Sequence, residues 1–148
     1  RLTWLRPPGR RLCRRDLFLY GRLNYYAATD SAYQDKQPTY LAEADTIFAQ
    51  VAVKVPDNYL GNFWRARVNS LRDPETTQGL AKPYYEAALS ILEQKPDATK
   101  SVLVECNSYL GYYYFVKEDY NQSKQYWNKI LEIDPENETA TKALGGIK

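Results

Sequence analysis

Two arginines and one tyrosine recur at a fixed interval along the chain. Arg22, Arg67 and Tyr112 are 45 residues apart, and each directly follows a small residue. An arginine presents a planar fork of N–H donors that matches a carboxylate, and nearby aromatic rings add stacking and apolar contact area. These residue types could therefore bind acidic groups, and four rings lie one helical turn from the small residues: Phe18, Tyr25, Phe63 and Phe115.

The small residues before these three positions are Gly21, Ala66 and Gly111. A glycine inside a helix costs about 1 kcal/mol relative to alanine, so Gly111, within an apolar helical segment, needs a packing reason. Two helices whose axes lie about 8–10 Å apart need a small residue where they cross. The recurrence therefore predicts three helices that each cross a second helix at this point.

The third unit carries the fullest version of the pattern. Gly111 and Ser123 are its small positions, Pro135 ends it, and its large positions are Leu110, Tyr114, Trp127 and Ile130. One such helix pair cannot bury its apolar face alone. Matching second-helix residues predict two earlier pairs, with Ala44, Phe48 and Val51 in the first unit and Ala81, Tyr85 and Ala88 in the second.

This spacing resembles the tetratricopeptide repeat (TPR), and the chain from about residue 16 onwards is similar to three TPR units of the tyrosine-rich bacterial kind. The resemblance implies an all-α fold, a right-handed superhelical solenoid of antiparallel helix pairs. We expect repeats at about 16–57, 58–97 and 98–136, and a C-terminal cap at 137–148. The family unit has about 34 residues. We therefore expect insertions in the first two units. In the first unit the extra length is a polar loop at 30–38. In the second unit it is divided between residues 73–79 and a longer second helix that runs towards Gln94.

In the TPR family the concave groove is lined mainly by first helices, so the resemblance implies that Arg22, Arg67 and Tyr112 face a partner. We expect a non-enzymatic protein-interaction module that binds a peptide or protein segment carrying acidic groups or a free C-terminus. The two arginines could instead form structural ion pairs with acidic residues of adjacent helices, such as Asp57 or Glu43. Self-association through the apolar faces of the end repeats is a further alternative.

The first 15 residues differ in composition from the rest. They hold six of the ten arginines and no acidic residue, which gives +6 against +2 for the whole chain. This charge predicts a basic arm, and the alternative function is binding of nucleic acid or an acidic surface through it. A solvated tail, or sequence foreign to the native protein, explains the same composition. Because the arm resembles no nucleic-acid motif, nucleic acid is the less favoured partner.

Residue types exclude most catalytic chemistry. The chain has no histidine and only two cysteines, Cys13 and Cys106. They are too few and too far apart to predict a metal site, and we expect Cys106 to be a small buried residue of a helix. Glycine-rich phosphate loops, nucleophile elbows and dinucleotide fingerprints are absent from the sequence. We therefore expect no catalytic residue, no metal and no cofactor.

Overall composition fits one small domain, with 44% apolar and 26% charged residues. The sequence contains no run of 18 apolar residues, so it predicts no membrane span. We expect a soluble domain of the bacterial cytoplasm or periplasm. The chain begins at Arg1 and contains no methionine, which indicates a processed or trimmed chain and leaves the compartment and the partner open.

Overall fold

The computed structural model describes residues 13–147 and confirms the all-α prediction. Within that range there are seven α-helices, one 3₁₀ helix and no β-strand. The α-helices are α1 (Arg14–Thr29), α2 (Gln37–Lys54), α3 (Leu60–Arg72), α4 (Lys82–Leu92), α5 (Lys100–Val116), α6 (Tyr120–Ile133) and α7 (Glu138–Gly146), and the 3₁₀ helix is Ser31–Lys36. Each α-helix packs against the next one, and α1 also contacts α3.

The first six helices pack as three successive pairs, and the first and third pairs cross at small residues. A Cβ atom placed on Gly21 of α1 would lie 2.8 Å from Phe48 Cε1 of α2. In the third pair, a Cβ atom on Gly111 would lie 2.7 Å from Trp127 Cε2, and the Ser123 hydroxyl donates a hydrogen bond of 2.7 Å to the Gly111 carbonyl oxygen. The predicted crossing of α5 and α6 at Gly111 and Ser123 is confirmed.

One apolar core runs through the first five helices, and smaller clusters lie at the two ends. Ala66, the small residue of α3, is completely buried in the main core. The N-terminal cluster contains Leu17, Ile47 and Val51, and the C-terminal cluster contains Trp127, Ile130, Ala140 and Ile147. Helix α7 therefore covers the apolar side of the last helix pair. Its first turn is capped by Asn137, whose Oδ1 accepts a hydrogen bond of 2.9 Å from the Ala140 N–H.

Helix α1 begins earlier than the sequence predicts. Arg14 and Arg15, assigned above to the basic arm, form its first two residues. Asp16 lies in the first turn, where a carboxylate interacts favourably with the unpaired N–H groups of the helix. Residues 1–12 of the arm lie outside the described part of the chain.

The predicted insertion at residues 73–79 is confirmed, but two other details of the insertions differ from the prediction. Six of the residues at 30–38 form the 3₁₀ helix, whose first N–H groups are capped by Asp30 Oδ1, 2.9 Å from the Ala32 nitrogen. Helix α4 is not a long helix running towards Gln94, because it ends at Leu92 and has only 11 residues. Pro83 lies at its start, where proline is tolerated. The extra length of the second unit therefore lies in the connection between α3 and α4.

That connection is organised by the buried carboxylate of Asp73. The carboxylate accepts hydrogen bonds from the backbone N–H groups of Gln78, Gly79 and Leu80, the shortest being 2.8 Å to Gly79. Gly79 has φ +68°, and a Cβ atom there would lie 2.5 Å from the Tyr113 ring, so the turn requires glycine. Burial alone would raise the pKa of Asp73, but these hydrogen bonds lower it below the usual value.

We expect Gly111→Ala to lower the free energy of unfolding by about 1–3 kcal/mol, because the added methyl group overlaps the buried Trp127 ring. Helix propensity alone predicts the opposite sign, a gain of about 1 kcal/mol. Urea denaturation followed by circular dichroism measures the difference. Gly145→Ala in α7 is the control, since nothing lies within 4 Å of a Cβ atom there. Equal effects of the two substitutions would contradict the steric role of Gly111.

We expect Asp73→Asn to lower the free energy of unfolding by about 2 kcal/mol at pH 7, because buried N–H groups lose a charged acceptor. The native pKa of Asp73 lies below the unfolded value of about 3.9. The stabilisation is therefore present above that value and is lost as the pH falls through the lower native pKa. Urea denaturation of both proteins between neutral and acidic pH should show their difference shrinking below about pH 4. A difference that stays constant would rule out this assignment.

Candidate functional site

Arg22 on α1 lies over a group of three aromatic rings. Its guanidinium carbon is 5.8 Å from the ring centre of Phe18, 5.7 Å from that of Tyr26 and 5.3 Å from that of Trp64 on α3. We call these three rings the aromatic platform. The Nη2 atom of Arg22 donates a hydrogen bond of 3.4 Å to the Tyr26 hydroxyl oxygen, and the Nε atom of Arg22 is buried without a hydrogen-bond partner. Among the described residues no carboxylate forms an ion pair with Arg22.

Arg67 shares the Trp64 ring with Arg22 but has a carboxylate partner. Its guanidinium carbon is 4.7 Å from the Trp64 ring centre, and its fork donates to both oxygens of Glu105 on α5, at 2.9 and 2.7 Å. The Tyr85 hydroxyl of α4 donates to the same carboxylate at 3.1 Å. The hydrogen bond to Glu105 raises the pKa of Arg67, and burial followed by the Glu105 charge raises that of Tyr85. This network ties three helices together.

The alternative of a structural ion pair with another helix is confirmed for Arg67, although the partner is Glu105 and not Asp57 or Glu43. Glu105 belongs to α5, and both of its carboxylate oxygens lie within hydrogen-bond distance of the Arg67 fork. Arg65, on the same helix as Arg67, is likewise engaged, with Nε 2.9 Å from Asp45 Oδ1 of α2. The arginines of α3 at positions 65 and 67 therefore serve contacts within the fold, whereas no described carboxylate pairs with Arg22.

Two of the four predicted border rings lie beside Trp64, and a third lies under Arg67. This third ring is Phe63, which is 3% exposed, belongs to the core and has its centre 4.5 Å from the Arg67 guanidinium carbon. Phe18 and Tyr25 are half-buried, with ring centres 6.0 and 5.3 Å from that of Trp64. Burial raises the pKa of Tyr25, which keeps its hydroxyl protonated. The structure thus brings Arg22, Arg67 and these three rings together.

Tyr112 and Phe115 form a second group on α5. Their rings stack with centres 6.5 Å apart, and the side chains are 46% and 41% exposed. Phe115 also contacts Tyr120 of α6, 5.8 Å away. No ring or cation contact among the described residues joins Tyr112 to Arg22 or Arg67. The predicted line of three residues is therefore divided into an arginine part and an aromatic part.

An apolar pocket of about 240 Å³ adjoins this second group, between α5, α6 and α7. We call it the α7 pocket. Its walls include Tyr112, Phe115, Trp127, Lys142, Gly146 and Ile147. Lys142 contributes the charge, and its Nζ lies 3.7 Å from Glu138 in a solvent-exposed pair. Such a pair contributes little to stability, so the ammonium is available to another acid.

The sequence prediction missed Trp64 and Glu105. Trp64 lies three residues before Arg67, so helical spacing already placed it on the same face. Glu105 had no local signal, because it lies 38 positions after Arg67 and meets it only through the tertiary fold.

The described residues offer little for metal or nucleophilic chemistry. Residues 13–147 contain no group of three or more potential metal ligands that could hold an ion. Cys13 and Cys106 are both free thiols, and the predicted burial of Cys106 is confirmed. Burial raises the pKa of the Cys106 thiol to about 12, so it is protonated at neutral pH. None of the described helices has the length and apolar character needed to cross a membrane.

Comparison with known proteins supports the fold. No protein-family model matches the chain, and no curated protein matches it. Among solved structures, the chain is similar to the C-terminal part of a TPR repeat-containing protein from Cytophaga hutchinsonii, with 31% sequence identity and a TM-score of 0.83. The alignment covers 97% of this chain and 52% of that one, so this chain spans about half its length. The chain therefore has a TPR-like helical repeat fold, a scaffold typical of protein interaction modules.

Proposed function

We propose that the chain is a non-enzymatic interaction module that binds an acidic peptide segment along its first helices, with Arg22 as the anchor. The observation that carries this proposal is the environment of Arg22. The cation is fixed over the aromatic platform, yet no described carboxylate neutralises it.

The surroundings of Arg22 favour a strong interaction with a carboxylate. Rings hold the guanidinium in one orientation, so less conformational freedom is lost when a ligand binds. The half-buried position strengthens a charge-assisted hydrogen bond compared with one in bulk water. A ligand oxygen could also satisfy the buried Nε, which lacks a partner in the free protein.

Apolar side chains flank this anchor on the same helical face. Leu19 and Tyr26 lie three residues before and four after Arg22, and they are 53% and 47% exposed. Large exposed apolar residues beside a fixed cation are typical of a peptide contact, in which rings supply area and the charge supplies specificity. The Arg67–Glu105 pair supports this surface, because Arg67 also contacts the Trp64 ring, with its guanidinium carbon 4.7 Å from the ring centre.

Selection from a displayed library of random peptides tests the proposal. We expect the selected peptides to be rich in Asp and Glu, and Arg22→Gln to weaken their binding about 10- to 100-fold in fluorescence anisotropy, through loss of a charge-assisted hydrogen bond. The unfolding midpoint should not change. Arg72→Gln is the control, because Arg72 is an exposed arginine at the end of α3. If the selected peptides are not rich in Asp and Glu, or if Arg22→Gln and Arg72→Gln bind them with equal affinity, Arg22 is not the anchor.

The role of Arg67 is separable from that of Arg22. We expect Arg67→Gln and Glu105→Gln each to lower the free energy of unfolding, and the double variant to lose less than the sum, with a coupling of about 1 kcal/mol. Urea denaturation of the four proteins gives this coupling. If Arg67→Gln instead left stability unchanged and weakened peptide binding, Arg67 would belong to the binding site.

A further inference from the structure

We infer that the α7 pocket binds one bulky apolar side chain of the same acidic segment, and that it thereby selects partners that combine an acidic residue with a Leu, Ile, Met or Phe. This inference rests on the proposed function. It adds a second, apolar contact to the partner, at a pocket lined by α5, α6 and α7, which do not include the Arg22 helix.

The size of the pocket indicates what it can hold. A volume of about 240 Å³ lies below the roughly 300–1,000 Å³ typical of small-molecule and cofactor sites. A single side chain of a bound segment matches this space better than a cofactor does.

The walls of the pocket indicate the chemistry of its occupant. Phe115 and Tyr112 are exposed rings, and Trp127 and Ile147 present buried apolar surface at the bottom. Water in such a space finds few hydrogen-bond partners, so an apolar side chain that replaces it gains the hydrophobic free energy of transfer. A polar side chain would lose its hydration without compensation.

Charge and position connect the pocket to the acidic segment. Lys142 lines the pocket and carries a positive charge like that of Arg22, so both points complement a negatively charged partner. Tyr112 belongs to the pocket and also occupies the position on α5 that corresponds to Arg22 on α1 and Arg67 on α3. The pocket therefore includes the third residue of the predicted line along the first helices.

Two adjacent glycines provide a matched pair of variants. A Cβ atom placed on Gly146 or on Gly145 has no atom within 4 Å, so either position accepts a side chain without a clash there. Gly146 lines the α7 pocket, whereas Gly145 does not. Gly146→Trp thus adds bulk at the pocket, and Gly145→Trp adds the same bulk outside it. Phe115→Ala is a second pocket variant, because it removes an exposed wall.

The test uses peptides selected against the unmodified protein and their alanine-substituted forms. We expect selected peptides to share an apolar residue at a fixed distance from an acidic one, and its replacement by alanine to weaken binding about 10- to 100-fold. That loss should disappear in Gly146→Trp and Phe115→Ala and persist in Gly145→Trp. The Trp127 indole N–H and the Ile147 methyl resonances should shift only with peptides that carry the apolar residue.

The outcomes separate this inference from the proposed function. If the alanine substitution costs the same in all variants while Arg22→Gln still weakens binding, the pocket assignment is overturned and the anchor stands. If the pocket variants abolish the effect of the alanine substitution but Arg22→Gln leaves peptide affinity unchanged, Arg22 is not the anchor and the pocket assignment stands. Concentration-dependent dimerisation that Gly146→Trp abolishes would make a second copy the occupant and would also overturn the inference.

Discussion

The contact between Gly21 and Phe48 governs the geometry of the candidate site. Because Gly21 has no side chain, the Phe48 ring of α2 lies directly against α1. The same ring stacks on Trp64 of α3, with centres 5.7 Å apart and an interplanar angle of 28°. Trp64 in turn lies under Arg22, the residue next to Gly21. A steric requirement at one helix crossing therefore extends through two rings to the cation that we propose as the anchor.

Ion pairs between helices divide the arginines into two roles. Asp45 of α2 accepts hydrogen bonds from Arg65 and from Asn69, which fixes α3 beside α2. Glu105 of α5 binds Arg67 and Tyr85 and so fixes α5 beside α3 and α4. The pairs are partly exposed, so each contributes modestly, but together they set which face of α3 points towards its neighbours. Arg22 belongs to the first helix, and no described carboxylate meets it from another element.

Departures from the short repeat unit are compensated locally. The long α3–α4 connection would leave several N–H groups buried and unpaired, and the Asp73 carboxylate satisfies three of them. Gly79 lets Tyr113 of the next unit pack against this connection. At the C-terminal end, α7 covers Trp127 and Ile130 but leaves Tyr112 and Phe115 exposed, and this partial cover creates the α7 pocket.

The fold was largely predictable because helix crossings leave a local signature. Gly111, Ser123 and Trp127 have a spacing that follows from helical periodicity, and the same spacing returns in the earlier units. Helix ends were less predictable. The 3₁₀ helix after Asp30 and the end of α4 at Leu92 depend on capping hydrogen bonds and on packing that residue types alone do not specify.

By itself, the sequence determined the helical class and the helix crossings at Gly21 and Gly111, and it predicted a common face for Arg22, Arg67 and Tyr112. Only the tertiary structure decided which of the two arginines forms an ion pair within the fold. Arg22 and Arg67 have the same local neighbours in sequence, a small residue before and apolar residues a turn away. Their difference arises because α5 places Glu105 against Arg67, a contact across 38 positions of the chain. Ion pairing depends on distance in space, and helical spacing within one segment does not fix the distance between two segments.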